Sequence, residues 1–294
     1  MNVRIGFHVS IAGAISNSID NALKIGCNTF QIFTRNPRGW MAKPLIENEV
    51  EVFQTKLAKS KIRSESVVVH IPYLPNFAAP DGQVYEKSIN LFIEESERCS
   101  RLGIPYLVIH LGSHLGTGQK NGTKQLVKAC NHFLDCTKSS KSKKKSLPIT
   151  VLLENGSGQK NTIGGSFEEI RSILDELNSK AFGVCLDTCH AFASGYDLRN
   201  KTAVDRTLDH FDKTIGLKEL KLIHMNDSKG DLSSNIDRHE HIGRGKIGKE
   251  GFIALLNNKT ILDLPIVMET PVDNNRSETD NLRIVQGLMN RRIS

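Results

Sequence analysis

Long apolar runs are missing from this chain of 294 residues. Its longest stretches, such as Tyr106 to Leu111, are far too short to cross a bilayer, which takes about 20 apolar residues. A secretory segment is missing too: Met1-Asn2-Val3-Arg4-Ile5-Gly6 enters a structured pattern at once, with no h-region. We therefore expect no membrane association and an intracellular protein, cytoplasmic or nucleoid-associated. No C-x-x-C pair occurs among Cys27, Cys99, Cys130, Cys136, Cys185 and Cys189. This spacing reads as reduced packing thiols rather than a thiolate metal or redox motif. Cys185 and Cys189 invite a metal reading, but the residues between them suit a metal better. Finally, no linker divides the chain, so residues 1–294 are read as one domain.

What is present is a strict alternation of short apolar runs and amphipathic segments, the mark of a parallel α/β fold. Strands are predicted at residues 4–8, 28–33, 67–70, 106–110, 150–154, 183–187, 220–224 and 266–269. Ile15, Ile19, Ala22 and Leu23 supply the apolar stripe of a first helix. Further helices are predicted near residues 47–59, 85–102, 124–137, 167–177, 203–215 and 249–257, with one more at the C-terminus. Eight strands alternating with about eight helices fit a (β/α)8 barrel of the TIM type, which needs about 250 residues and builds its chemistry at the C-terminal strand ends.

Those ends carry the functional signal. A parallel strand buried on both faces is apolar throughout, so a charged residue marks where burial stops. Six successive predicted strands stop on His70, His110, Glu154, Asp187, His224 and Glu269. His (10) and Asp plus Glu (32) are about one residue in seven, so six such endings in a row are not expected by chance. Three more candidates follow in loops at the same mouth. His190 comes three residues after Asp187, and Asp237 and His239 alternate, so both point one way in an extended segment. Five imidazoles and four carboxylates exceed one tetrahedral ion and suit three, with one carboxylate shared. Many imidazoles and few thiolates favour Zn²⁺, with Mn²⁺ a substitute. Clustered ions imply phosphoryl transfer, in which they brace the attacking and leaving oxygens. The net charge of +7 fits a phosphodiester partner.

The chain resembles the endonuclease IV family of apurinic/apyrimidinic (AP) endonucleases along its whole length. The resemblance rests on His8-Val9-Ser10, Phe33-Thr34-Arg35-Asn36-Pro37-Arg38 and His70-Ile71-Pro72-Tyr73-Leu74. It continues through Leu153-Glu154-Asn155, Gly183 to Asp197, His224-Met225-Asn226-Asp227-Ser228-Lys229, Asp237-Arg238-His239, Ile242-Gly243-Arg244-Gly245 and Glu269-Thr270-Pro271. It implies a trinuclear zinc site. His70, His110 and Glu154 would hold one ion; Glu154 would bridge to a second with Asp187, His224 and Glu269; His190, Asp237 and His239 would hold the third. Glu154 and Glu269 would be the catalytic carboxylates beside a metal-held hydroxide. The implied reaction is cleavage of the phosphodiester 5′ to an abasic site, leaving a 3′-hydroxyl and a 5′-deoxyribose phosphate, with trimming of blocked 3′ ends. The implied partner is double-stranded DNA with such lesions, met by a monomer. An abasic nucleotide is cheap to extrude, and large side chains fill the gap it leaves. Arg38, Tyr73 and Leu74 match the family's residues for this; read without the family, Tyr73 and Leu74 between two prolines are loop anchors.

Some features fall outside the resemblance. The basic run Lys138 to Ser146 reads as a solvated loop on the face opposite the site, with a nuclear signal or an extra DNA contact as its alternatives. His114, His132 and His210 have no assigned role. His241 is expected to touch phosphate or support a ligand, and His8 to stand behind the ligands. Two other classes remain: a metal-dependent sugar isomerase of the same barrel type, and a non-catalytic binder of DNA lesions. Five imidazoles argue against the first, and a complete ligand set against the second.

Overall fold

The computed structural model describes residues 3–140 and 147–289. Eight parallel strands close a barrel: β1 (Ile5–His8), β2 (Thr29–Ile32), β3 (Val67–His70), β4 (Tyr106–His110), β5 (Thr150–Glu154), β6 (Phe182–Asp187), β7 (Leu220–His224) and, last in the chain, β10 (Ile266–Met268). Each pairs with its sequence neighbours, and β10 closes the ring against β1. A two-residue hairpin, β8 (Asp227–Ser228) with β9 (His239–Glu240), stands above the barrel after β7. The outer helices are α1 (Asn17–Ile25), α2 (Glu47–Ser60), α3 (Gln83–Leu102), α4 (Gln119–Ser140), α5 (Phe167–Leu177), α7 (Lys201–Thr214), α8 (Gly248–Leu256) and α10 (Glu278–Met289). Two short ones, α6 (Thr188–Ala193) and α9 (Lys259–Leu262), fill connections. None of the described helices is long and apolar enough to cross a membrane.

The barrel interior explains where the chemistry lies. Val68, Val108, Leu152, Cys185, Leu222 and Val267 form a fully buried cluster of their own, one from each of six strands. Side chains on a strand alternate between faces, so the residue two positions on points the same way. Those residues are His70, His110, Glu154, Asp187, His224 and Glu269. The apolar layer therefore aims a polar layer into the mouth. Gly6 and Thr29 continue the lower level on β1 and β2, and His8 and Gln31 continue the upper one. Gly6 cannot be larger, because a Cβ there would lie 1.7 Å from the Thr29 carbonyl oxygen.

Several expectations are refined. Glu269 lies one residue past β10 rather than within it. Leu23 on α1 is exposed, and Ser18, Ile19 and Ala22 form the helix's buried face instead. Helix α4 begins at Gln119 rather than Lys124, because the turn through Gly118 opens the helix directly. All six cysteines are free, and Cys185 and Cys189 are buried, with burial pushing the Cys185 thiol up to about 12. Of the basic run, residues 138–140 close α4, and residues 141–146 lie outside the described residues.

Candidate metal centre

Ligand atoms gather in three groups at the mouth: His70, His110 and Glu154; Glu154, Asp187, His224 and Glu269; and Asp187, His190 and His239. Within each group they lie within 4.8 Å of one another. Glu154 is the junction of the first two. Its Oε2 is 3.2 Å from His70 Nε2 and 3.4 Å from His110 Nδ1, and its Oε1 is 3.1 Å from His224 Nδ1. Asp237 joins the third group through its Oδ1, 3.0 Å from His190 Nε2 and 3.7 Å from His239 Nε2. The structure thus brings all nine predicted ligands together, and it adds one feature: Asp187 touches two groups.

Local structure sets that double contact. Asp187 is the N-cap of α6, and its Oδ1 accepts the His190 backbone N–H at 2.8 Å. A capping carboxylate reaches the third residue of its helix, which fixes the spacing to His190. The other oxygen, Oδ2, accepts from Asn226 Nδ2 at 2.7 Å and lies 3.7 Å from His239 Nε2 and 4.0 Å from His224 Nδ1.

The histidine hydrogen bonds test whether this set fits a metal. His70 Nδ1 meets the Ile71 carbonyl at 2.6 Å, His190 Nδ1 the Asn155 carbonyl at 3.0 Å, and His239 Nδ1 the Glu269 carbonyl at 3.0 Å. His224 Nε2 meets the Gln31 side-chain oxygen at 2.9 Å. A carbonyl oxygen only accepts, so each of these nitrogens carries the proton and donates. In the neutral ring that a cation requires, the opposite nitrogen then carries a lone pair aimed at the carboxylates. An imidazole fixed this way is the usual posture of a metal ligand. His239 Nε2 is buried and has no hydrogen-bond partner among the described residues. The residues present therefore fit divalent cations.

Electrostatics agrees. Burial disfavours a charged His190, but the carboxylates of Asp187, Asp237 and Glu154 outweigh it and hold the imidazole well above its ordinary pKa. His224 is likewise raised against burial, by Cys185, Glu269 and Glu154. Burial also opposes the charged form of Glu154, yet His110, His224 and His70 hold it well below the usual carboxylate range. Glu269 is lowered in the same way, by His224, His8 and His70. The field at the mouth favours positive charge among ionised carboxylates.

Seven of the nine candidate ligands, all but the fully buried Asp187 and His224, line a cleft of about 550 Å³. Its walls include His8, Phe33, Tyr73, Lys229, Arg238 and Pro271. Tyr73 is 61% exposed and rests edge-on against Phe33, with ring centres 5.2 Å apart. Its backbone N–H donates to the Pro37 carbonyl at 3.2 Å, which ties its loop to the one bearing Arg38. That second loop is anchored beneath by Arg35, whose guanidinium is buried and meets Glu95 Oε1 at 2.5 Å and Glu94 Oε2 at 2.7 Å. Arg38 is exposed and Leu74 half-buried. Tyr73 and Leu74 therefore stand at the rim rather than in the core.

Sequence reasoning missed three amides. Asn155 donates to the Asp187 carbonyl and accepts the Asp187 N–H at 2.7 Å; Asn226 joins Asp187 to the Glu269 backbone; Gln31 lies between His224 and Glu269. Gln31 had a readable signal, being an amide within the apolar strand Thr29-Phe30-Gln31-Ile32. His8 does stand beside a ligand, 3.3 Å from Glu269 Oε1. His241 does not line the cleft. It is buried between Asp273 Oδ1, at 3.0 Å, and Asn281 Nδ2, also at 3.0 Å, and so anchors the loop after β10.

Comparison with known proteins bears on this geometry. Residues 19–290 match the family model described as a xylose isomerase-like TIM barrel. The "Probable endonuclease 4" of Nitrosopumilus maritimus is 48% identical over 282 residues, covering 96% of this chain and 98% of its own. The crystal structure of endonuclease IV from Thermus thermophilus is 30% identical, covers 97% of this chain and 98% of its own, and superposes with a TM-score of 0.83. A D-tagatose 3-epimerase-like protein shares the fold at a TM-score of 0.72, with 15% identity and 97% of each chain covered. At 15% identity that last likeness shows the fold alone, whereas the two endonuclease relatives share 30% and 48% of their residues over nearly the whole chain. The chain belongs to the endonuclease IV family of AP endonucleases, which are metal-dependent DNA hydrolases.

Proposed function

We propose that the protein is a Zn²⁺-dependent AP endonuclease of base-excision repair, with Mn²⁺ as a competent substitute. It cleaves the phosphodiester 5′ to an abasic site, leaving a 3′-hydroxyl and a 5′-deoxyribose phosphate, and trims blocked 3′ ends. It acts inside the cell as a single-domain monomer. The observation that carries this reading is the set of three ligand groups, joined by Glu154 and Asp187, at one cleft that His70, His110, Glu154, His190, His239 and Glu269 line.

His70, His110 and Glu154 would hold one ion; Glu154, Asp187, His224 and Glu269 a second; and His190, Asp237 and His239, beside Asp187, the third. Bound there, divalent ions would activate water and neutralise charge on the scissile phosphate. Glu154 and Glu269, ionised by their imidazole neighbours, keep the ligand field anionic and fix its geometry. Lys229 and Arg238 in the cleft wall meet the phosphate backbone by charge. Arg38, Tyr73 and Leu74 occupy the space of the missing base and hold the DNA open, so that only a nucleotide without a base enters the cleft at low cost.

The test is incision of a duplex carrying one tetrahydrofuran abasic analogue, before and after prolonged chelation, with elemental analysis of the same samples. Zinc-loaded protein is expected to cut 5′ to the analogue, to hold about three metals per chain and to stop when they are removed. Loaded protein that leaves the analogue intact would overturn the reading, and one metal or none would overturn the trinuclear site. A duplex with a 3′-phosphoglycolate end measures the trimming activity separately.

A further inference from the structure

Eight side chains form the polar layer at the mouth, one from each barrel strand or its end, and Gln31 is the only one that is neither imidazole nor carboxylate. It is fully buried. Its Oε1 accepts from His224 Nε2 at 2.9 Å. Its Nε2 donates to Glu269 Oε1 at 2.6 Å and to His8 Nδ1 at 3.0 Å. An amide is the one side-chain group of this size that supplies an acceptor and two donors at once. All of its capacity is turned on the same corner of the mouth.

Two of those partners, His224 and Glu269, belong to the ligand group they share with Glu154 and Asp187. We propose that Gln31 is a positioning residue for that group: it holds His224 in the tautomer whose Nδ1 faces the carboxylates, and it fixes the rotation of the Glu269 carboxylate. Among the described residues no backbone carbonyl does this for His224, whereas His70, His190 and His239 each donate to one. Without the amide, His224 Nε2 would face a buried site with no acceptor, and the opposite tautomer would turn an N–H toward Glu154. Glu269 would keep His8 as its neighbour and lose its shortest hydrogen bond. The proposal rests on the metal reading above, and it assigns Gln31 no contact with substrate.

The test compares wild type with Gln31→Met, which keeps the volume and removes the polarity. Three readouts are used: metal retained against a graded chelator, the visible spectrum of the Co²⁺-loaded chain, and kcat and KM on the tetrahydrofuran duplex. Gln31→Met is expected to release one ion of the set about 10–100-fold more readily, the usual cost of losing a group that orients a ligand. Its Co²⁺ spectrum should change, and kcat should fall while KM stays within about threefold, because the groups that grip DNA are untouched. Gln31→Ala, which removes the amide without demanding that a longer chain pack, serves if the thioether does not fit. Gln31→Glu keeps the acceptor but loses both donors and sets another carboxylate against Glu269, so it should not restore kcat. A folded Gln31→Met or Gln31→Ala with wild-type metal retention, spectrum and kcat overturns the proposal alone. A wild-type chain that binds no metal overturns the metal reading, and this inference with it.

Discussion

Two layers inside the barrel lie two residues apart on every strand and obey opposite rules. The lower layer, Val68, Val108, Leu152, Cys185, Leu222 and Val267, is apolar and makes no demand for a partner. The upper layer, about 7 Å further along the strands, is wholly polar and nearly every group in it is answered by another. The first stabilises the barrel and the second concentrates ionisable groups that a fold alone would not tolerate. Substitutions in the two layers should therefore fail in different ways.

The largest effect is expected at Glu154, the shared corner of two ligand groups. Glu154→Gln should lower incision of an abasic duplex by at least about 10³-fold, since several kcal/mol of charge stabilisation act through that site. Circular dichroism should still show the intact barrel. If the metal-free variant proves unfolded, the two layers do not divide labour as described. The converse test is Leu152→Ala, two residues earlier on the same strand. It should cost about 2–5 kcal/mol of stability in denaturant melts, as a cavity in a packed core does. The metal content of each folded chain should not change; a lost ion would mean that the lower layer sets the ligand geometry directly.

A finer break is the insertion of one residue between Asp187 and His190. It uncouples the cap of α6 from the imidazole that the cap places. The barrel should remain, weakened by about 1 kcal/mol for the lost cap, and about one of three metals should be lost. Elemental analysis and a thermal melt decide it; full loading would mean that the spacing is not what places His190.

How far the two layers could be read from sequence differed for physical reasons. Val67-Val68-Val69-His70 and Thr150-Val151-Leu152-Leu153-Glu154 announce both at once, because strands buried on both faces leave an apolar run whose end is abrupt. Six strand ends were legible in this way, and so was the three-residue step from Asp187 to His190. Of the amides, Gln31 left only the mark of a polar residue within an apolar strand, and Asn155 and Asn226 left none, since all three act through hydrogen bonds to groups far along the chain and carry no ligand signature of their own. Helix α6 and the β8–β9 hairpin are too short for any periodic pattern. Yet that hairpin brings His239 against Asp187, which is why the second contact of Asp187 appears only in three dimensions.

The smallest expected effect lies outside both layers, at the rim. Tyr73 rests edge-on against Phe33, and most of its surface is exposed at the cleft. Burial of its inner part raises its phenol pKa, with the Glu269 carboxylate adding to the rise, so the ring is neutral at the pH of repair. A neutral, exposed aromatic ring beside a cleft costs the fold little to remove, about 0.5 kcal/mol or less. A ring that fills the place of a missing base is worth about 1–3 kcal/mol to the complex. Tyr73→Ala should therefore leave melting and metal content unchanged while weakening abasic-duplex binding about tenfold, and intact duplex should lose much less. Titration of both duplexes with the chelated, non-cutting protein separates the cases. Equal losses on the two duplexes would make Tyr73 a general DNA contact, and a large loss of stability would return it to the loop-anchoring role that its flanking prolines suggest.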